Sequence, residues 1–125
     1  MAGNFADDYS IASFEYAVAV LGTPLILVLG HSKCGAADAA VKAVKDGKGF
    51  SGHIPLLIDA IRPAVKAARD QAGDLLDNAI KQNVILNVEK LKTASPILSD
   101  AVQGGKLSVA GGIYSLNTGR VTLIA

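Results

Sequence analysis

An imidazole and a thiol lie three positions apart in the stretch Leu29-Gly-His-Ser-Lys-Cys-Gly-Ala-Ala37. His31 and Cys34 are the residues of this chain whose types and spacing can do chemistry together. Across a tight turn they can grip one soft-to-borderline metal ion, and zinc takes both nitrogen and sulfur ligands. On spacing alone, a strand-end histidine and a buried cysteine are also common furniture of α/β domains. A lone thiol heading a helix is a third reading, since a helix N-terminus can activate sulfur.

The elements that must position this pair can be read from periodicity. Leu25 to Leu29 is an apolar run that predicts a strand over 25–30, buried on both faces. A helical pattern starts near Gly35 and runs to Lys45, with Ala36, Ala37, Ala40, Val41 and Val44 on its packing side. His31 and Cys34 therefore fall where a central strand gives way to a helix. In open α/β sheets that carboxyl end is where ligands bind. Upstream, Asp7, Asp8 and Ser10 are candidate caps for a helix ending at Leu21, before Gly22 and Pro24.

Downstream, Ser51 is a candidate cap for a helix starting near Ile54, with Pro55 in its first turn. Pro63 falls inside that pattern and predicts a kink or a division. Asp74 caps a long helix reaching Lys92, and Ser95-Pro96 opens a short one to Val102. Residues 107–116 and 121–124 read as strands joined by the Asn117-Thr-Gly119 turn, an antiparallel hairpin at the sheet edge. The strand at 25–30 needs neighbours on both edges. The segment 107–113 supplies one, and no other is evident.

The chain has 125 residues, enough for one domain. Lys plus Arg is 12 and Asp plus Glu is 11, a net charge of +1, so nothing points to nucleic acid. No run of about 18 apolar residues predicts a membrane span. One Cys excludes an internal disulfide. Residues 1–8 lack the basic start and apolar core of a secretory leader, so the cytoplasm is the expected compartment.

The residues also carry a family likeness. Ala2-Gly-Asn4, Ser13-Phe-Glu-Tyr-Ala-Val-Ala-Val-Leu-Gly22 and Gly30-His-Ser-Lys-Cys-Gly-Ala36 resemble the β-class carbonic anhydrases. Ile61-Arg-Pro63, Asn87-Val-Glu-Lys-Leu91, Ser95-Pro-Ile-Leu98 and the Gly112–Val121 hairpin are similar to the same family, in its order. The resemblance implies a zinc enzyme, a carbonate dehydratase of the lyase class, that interconverts carbon dioxide and bicarbonate. It also implies a homodimer or higher oligomer. His31 and Cys34 would match two protein zinc ligands. Zinc lowers the pKa of bound water to about 7, which supplies the nucleophile.

The family also places a strand ending in Cys-x-Asp-x-Arg ahead of the Ala-Gly-Asn segment. That strand carries a further zinc ligand and an Asp–Arg dyad. Here Met1 stands immediately before Ala2. The expectation is a single domain over 1–125 that lacks the first two family strands. Its fold would be a truncated three-layer α/β arrangement: a short, mostly parallel sheet with a C-terminal antiparallel hairpin, flanked by about five helices. A third metal donor would then come from Asp7, Asp8, His53 or a partner chain. Failing that, the chain reads as a non-catalytic relative acting as an oligomeric scaffold or interaction module.

Overall fold

Eight elements follow the sequence pattern closely in the computed structural model, which describes all 125 residues. They are α1 (Asp8–Ala19), β1 (Leu25–His31), α2 (Gly35–Asp46), α3 (Ile54–Ala68), α4 (Leu75–Lys92), α5 (Ile97–Gln103), β2 (Ser108–Tyr114) and β3 (Val121–Leu123). The sheet order is β1-β2-β3. β1 and β2 run parallel with Leu25 opposite Ser108 and His31 opposite Tyr114. β2 and β3 form the antiparallel hairpin. The architecture is the α/β fold expected above.

Helix ends are set by recognisable chemistry. Asp7 is the N-cap of α1, and its carboxylate accepts from the Ser10 N–H at 2.8 Å. Asp74 caps α4 by accepting from Asp77 N–H at 3.0 Å. These bonds satisfy amide donors that no helical turn can reach. Ser51 does not cap α3. His53 holds that position, with no side-chain cap bond.

α4 lies at the centre. Val84, Val88 and Leu91 pack with Ile26 and Val28 of β1 and Val109 of β2 in the main core. Ala79 joins Ala40, Val41, Ile58, Ile61, Ala64, Val65 and Ala68 in a second core between α2, α3 and α4. Two glycines allow the helix so close to the sheet. A Cβ on Gly111 would come within 2.6 Å of Val84 Cγ1, and one on Gly30 within 2.8 Å of Val84 Cγ2.

Two expectations change. Pro63 does not divide α3 into separate elements: the helix runs unbroken from Ile54 to Ala68. Pro63 and Asp59 both lie on the solvent side. The Asp59 carbonyl, orphaned because Pro63 has no N–H, therefore meets water, while Ile58, Ile61, Ala64 and Val65 hold the buried side. The second change concerns β1, which is covered on one face only. Ile26 and Val28 are buried, but Leu25, Leu27 and Leu29 are 52%, 44% and 41% exposed. No element of this chain packs over that second face.

α1 is similarly half-partnered. Ile11, Phe14 and Val18 rest against the main core. Tyr9, Tyr16, Val20 and Leu21 stand in solvent.

Candidate metal centre

β1 ends at His31 and α2 begins at Gly35, so three residues make the turn. Cys34 is the N-cap of α2, extended at φ −62° and ψ 117°. Its side chain is 5% exposed and packs with Ala37 and Ile80. Between the pair, Lys33 takes the left-handed conformation at φ 56°, which lets the chain reverse in so few residues.

His31 is exposed at the strand end. Its Nδ1 lies 2.8 Å from the Ser32 carbonyl oxygen. A carbonyl only accepts, so Nδ1 carries the proton in that bond. Nε2 then keeps its lone pair, the form in which imidazole ligates a metal. A shallow pocket lined by Leu29, Gly30, His31, Tyr114 and Leu116 opens beside the ring.

Ser32 is the residue the motif hides. Its N–H donates to the Tyr114 carbonyl at 2.9 Å, and its Oγ accepts from the Leu116 N–H at 2.9 Å. It therefore fastens the turn to the end of β2 on two sides. Its place inside Gly-His-Ser-Lys-Cys was the available signal.

The donor chemistry fits zinc: one imidazole nitrogen and one sulfur at a helix start. The donor number is two. No group of three or more His, Cys, Asp or Glu side chains that could hold a metal ion comes together in this chain. Asp7 is engaged by the Ser10 amide and by the Ser10 hydroxyl at 2.6 Å. These two bonds, hydroxyl first, hold its carboxyl below the ordinary value of 3.8. Asp8 lies in the first turn of α1 and His53 heads α3.

A second constellation, not anticipated from sequence, holds the segment before α1. Asn83, Asn87 and Lys90 recur along one side of α4. The Asn83 amide donates to the Gly3 carbonyl, and Lys90 Nζ donates to the Ala6 carbonyl. Asn87 Oδ1 accepts from the Ala6 N–H at 2.8 Å, and its Nδ2 donates to the Asn83 carbonyl at 2.8 Å. Asn83 and Asn87 are 3% and 7% exposed. Gly3 sits at φ +81°, and a Cβ there would meet Ile61 Cδ1 at 2.5 Å. Helical spacing of polar residues among apolar ones was the signal for this ladder.

Comparison with known proteins decides the lineage. The family model described as carbonic anhydrase matches residues 1–121. Among solved structures, the Coccomyxa β-carbonic anhydrase, determined with acetazolamide, superposes with a TM-score of 0.78 at 30% identity. The chain belongs to the β-class carbonic anhydrases. That superposition covers 98% of this chain and 58% of the Coccomyxa protein. The β-carbonic anhydrase CcaA gives a TM-score of 0.76 at 29% identity, covering 99% and 65%. Carbonic anhydrase 2 of Mycobacterium tuberculosis is 36% identical over 122 residues, 98% of this chain and 59% of that protein. The Mycolicibacterium smegmatis carbonic anhydrase is 34% identical over the same shares. This β-carbonic anhydrase chain thus spans about three-fifths of the length of the curated relatives it matches.

Proposed function

We propose that this β-carbonic anhydrase chain is a zinc protein for reversible hydration of carbon dioxide to bicarbonate, with its third metal donor supplied from outside residues 1–125. The observation that carries this reading is the 2.8 Å contact of His31 Nδ1 with the Ser32 carbonyl oxygen. The Ser32 carbonyl holds the Nδ1 proton and leaves Nε2 free, three positions before a sulfur that heads α2. His31 and Cys34 would hold the metal. Zinc, once bound, supplies a Lewis acid that makes water nucleophilic at neutral pH. Ser32 keeps the turn and ring in register with β2, and the pocket by Leu29, Tyr114 and Leu116 gives a small apolar approach for a neutral gas molecule.

Self-association belongs to the same reading. Leu25, Leu27 and Leu29 on β1, with Leu123 at 68% exposure on β3, form a bare apolar sheet surface. Tyr9 and Tyr16 of α1, with Val20 and Leu21 just after it, are further exposed apolar residues. Such surfaces favour association with a second copy. A cytoplasmic setting accords with the single unpaired Cys34, and no helix is long and apolar enough to cross a membrane.

The two-donor count favours a second reading, a non-catalytic relative that serves as an oligomeric scaffold or interaction module. Zinc content of the purified chain in chelator-free reducing buffer, paired with a stopped-flow carbon dioxide assay, separates them. Bound zinc and hydration activity that both vanish in Cys34→Ser support the enzyme. A metal-free, inactive chain that still assembles supports the scaffold.

A further inference from the structure

We propose that the cleft where α2, α3 and α4 meet is a binding site for an aliphatic monocarboxylate. Val44 and Lys45 near the end of α2, Val65 and Arg69 at the end of α3, and Leu75 at the start of α4 line it. Its volume is about 390 Å³, within the range that small-molecule sites occupy. Val65 is 1% exposed and belongs to the second core, and Val44 and Leu75 are half-buried against that core. The inner surface is therefore aliphatic, and the charge sits at the mouth, where Lys45 and Arg69 are exposed.

Both cations lack an anionic partner. The ion pairs of the molecule are Asp38–Lys42, Asp59–Arg62 and Glu89–Lys92, and neither Lys45 nor Arg69 takes part in them. No acidic side chain lines the cleft. A guanidinium presents paired N–H donors that match the two oxygens of a carboxylate, and an ammonium beside it adds a second charge. An aliphatic tail on that carboxylate meets Val44, Val65 and Leu75 and leaves water.

The surroundings favour one negative charge over two. α2 and α3 both end here, with Gly47 and Arg69 as their C-caps, so the negative ends of two helix dipoles lie close by. Asp46, Asp70 and Asp74 adjoin Lys45, Arg69 and Leu75 in the chain, and the Asp74 carboxylate already engages the start of α4. A dianion such as phosphate meets that repulsion twice over and gains nothing from the aliphatic wall. The rims are ordered before any ligand arrives. Gly47, left-handed at φ 66°, closes α2 with its N–H on the Lys42 carbonyl, and Asn78 Nδ2 donates to the Ala72 carbonyl at 3.0 Å across the turn before α4. The site is separate from the metal turn: Lys45 lies at the far end of α2 from Cys34, about 16 Å away at about 1.5 Å per residue.

The test needs neither zinc nor activity, so it stands apart from the reading above. The full chain, metal-free and labelled at its methyl groups, is titrated with hexanoate and followed by NMR. The expected result is saturable shifts at the Val44, Val65 and Leu75 methyls with a Kd of about 1 mM, and little change at Val84 and Val88. Hexanol and hexylamine carry the same tail without the negative charge and are expected to bind at least about tenfold more weakly. Arg69→Gln and Lys45→Gln change exposed residues and keep the native spectrum. Each weakens hexanoate binding, the arginine change by about tenfold. Absence of saturable shifts at the three methyl-bearing residues overturns the proposal. So does an equal response to hexanol, or one undiminished in Arg69→Gln. Phosphate binding more tightly than hexanoate also overturns it, by assigning the two cations to a bare dianion.

Discussion

Cys34 and His31 differ in what their removal disturbs. His31 is exposed and touches little besides the Ser32 carbonyl. His31→Ala is expected to abolish metal binding and leave stability within about 0.5 kcal/mol of the parent. Cys34 is packed against Ala37 and Ile80. Cys34→Ser places a hydroxyl there and costs about 1–3 kcal/mol besides the metal site. Urea unfolding and cobalt absorption, whose sulfur-to-metal band reports the thiolate, read the two effects separately. Asp7 gives a pH prediction. Its carboxyl is held below 3.8 by the Ser10 hydroxyl and amide. A depressed native pKa adds stability that is present above 3.8 and is lost as pH falls through the native value. The start of α1 is expected to loosen only below that point. In Ser10→Ala the Asp7 carboxyl carbon, followed by NMR titration, should titrate at higher pH. The His31–Cys34 pair was legible because its spacing and setting are local. The tautomer was not, because it depends on where the Ser32 carbonyl lands after the turn folds.

α4 shows what sequence patterns convey about an element and what they omit. Its apolar side, its Asp74 cap and its length were all readable from spacing and turn chemistry. Its second duty was not. Asn83, Asn87 and Lys90 look like ordinary polar helix residues until the segment at 3–6 is laid across them from some 80 positions away. Asn87→Ala leaves the buried Ala6 N–H without an acceptor and is expected to cost about 1–3 kcal/mol, measured by denaturant unfolding at constant m-value. Gly30→Ala tests the contact on the other side of the helix. A Cβ there would meet Val84 at 2.8 Å, with Ile113 and Ile80 within 3.5 Å. An overpacking cost of about 1–3 kcal/mol is expected. β1 carries the opposite lesson. Its unbroken apolar run reads as a strand covered twice, but a run records only what the residues tolerate. Coverage of Leu25, Leu27 and Leu29 depends on layers that lie elsewhere. Pro63 fails to divide α3 for a related reason: packing of Ile58, Ile61 and Val65 outweighs one missing hydrogen bond when the orphaned carbonyl is wet.

For the molecule as a whole, the bare apolar surface of the sheet predicts association that depends on concentration. Sedimentation velocity across a dilution series should show it, and Leu123→Lys should shift the population toward monomer. The fold class was legible in full because the order of elements fixes few alternatives. The shortage of metal donors was legible too, from the Cys-x-Asp-x-Arg motif missing ahead of Ala2; whether Asp7, Asp8 or His53 makes it up was not, since that is a property of assembled geometry. Each of the three buried clusters includes residues of α4: Val84, Val88 and Leu91 in the first, Ala79 in the second, Ile80 in the third. Departure of that helix would open all three clusters at once. Loss of tertiary signal and loss of helicity should therefore coincide in one sharp transition on heating, with calorimetric and van't Hoff enthalpies equal, rather than in stages.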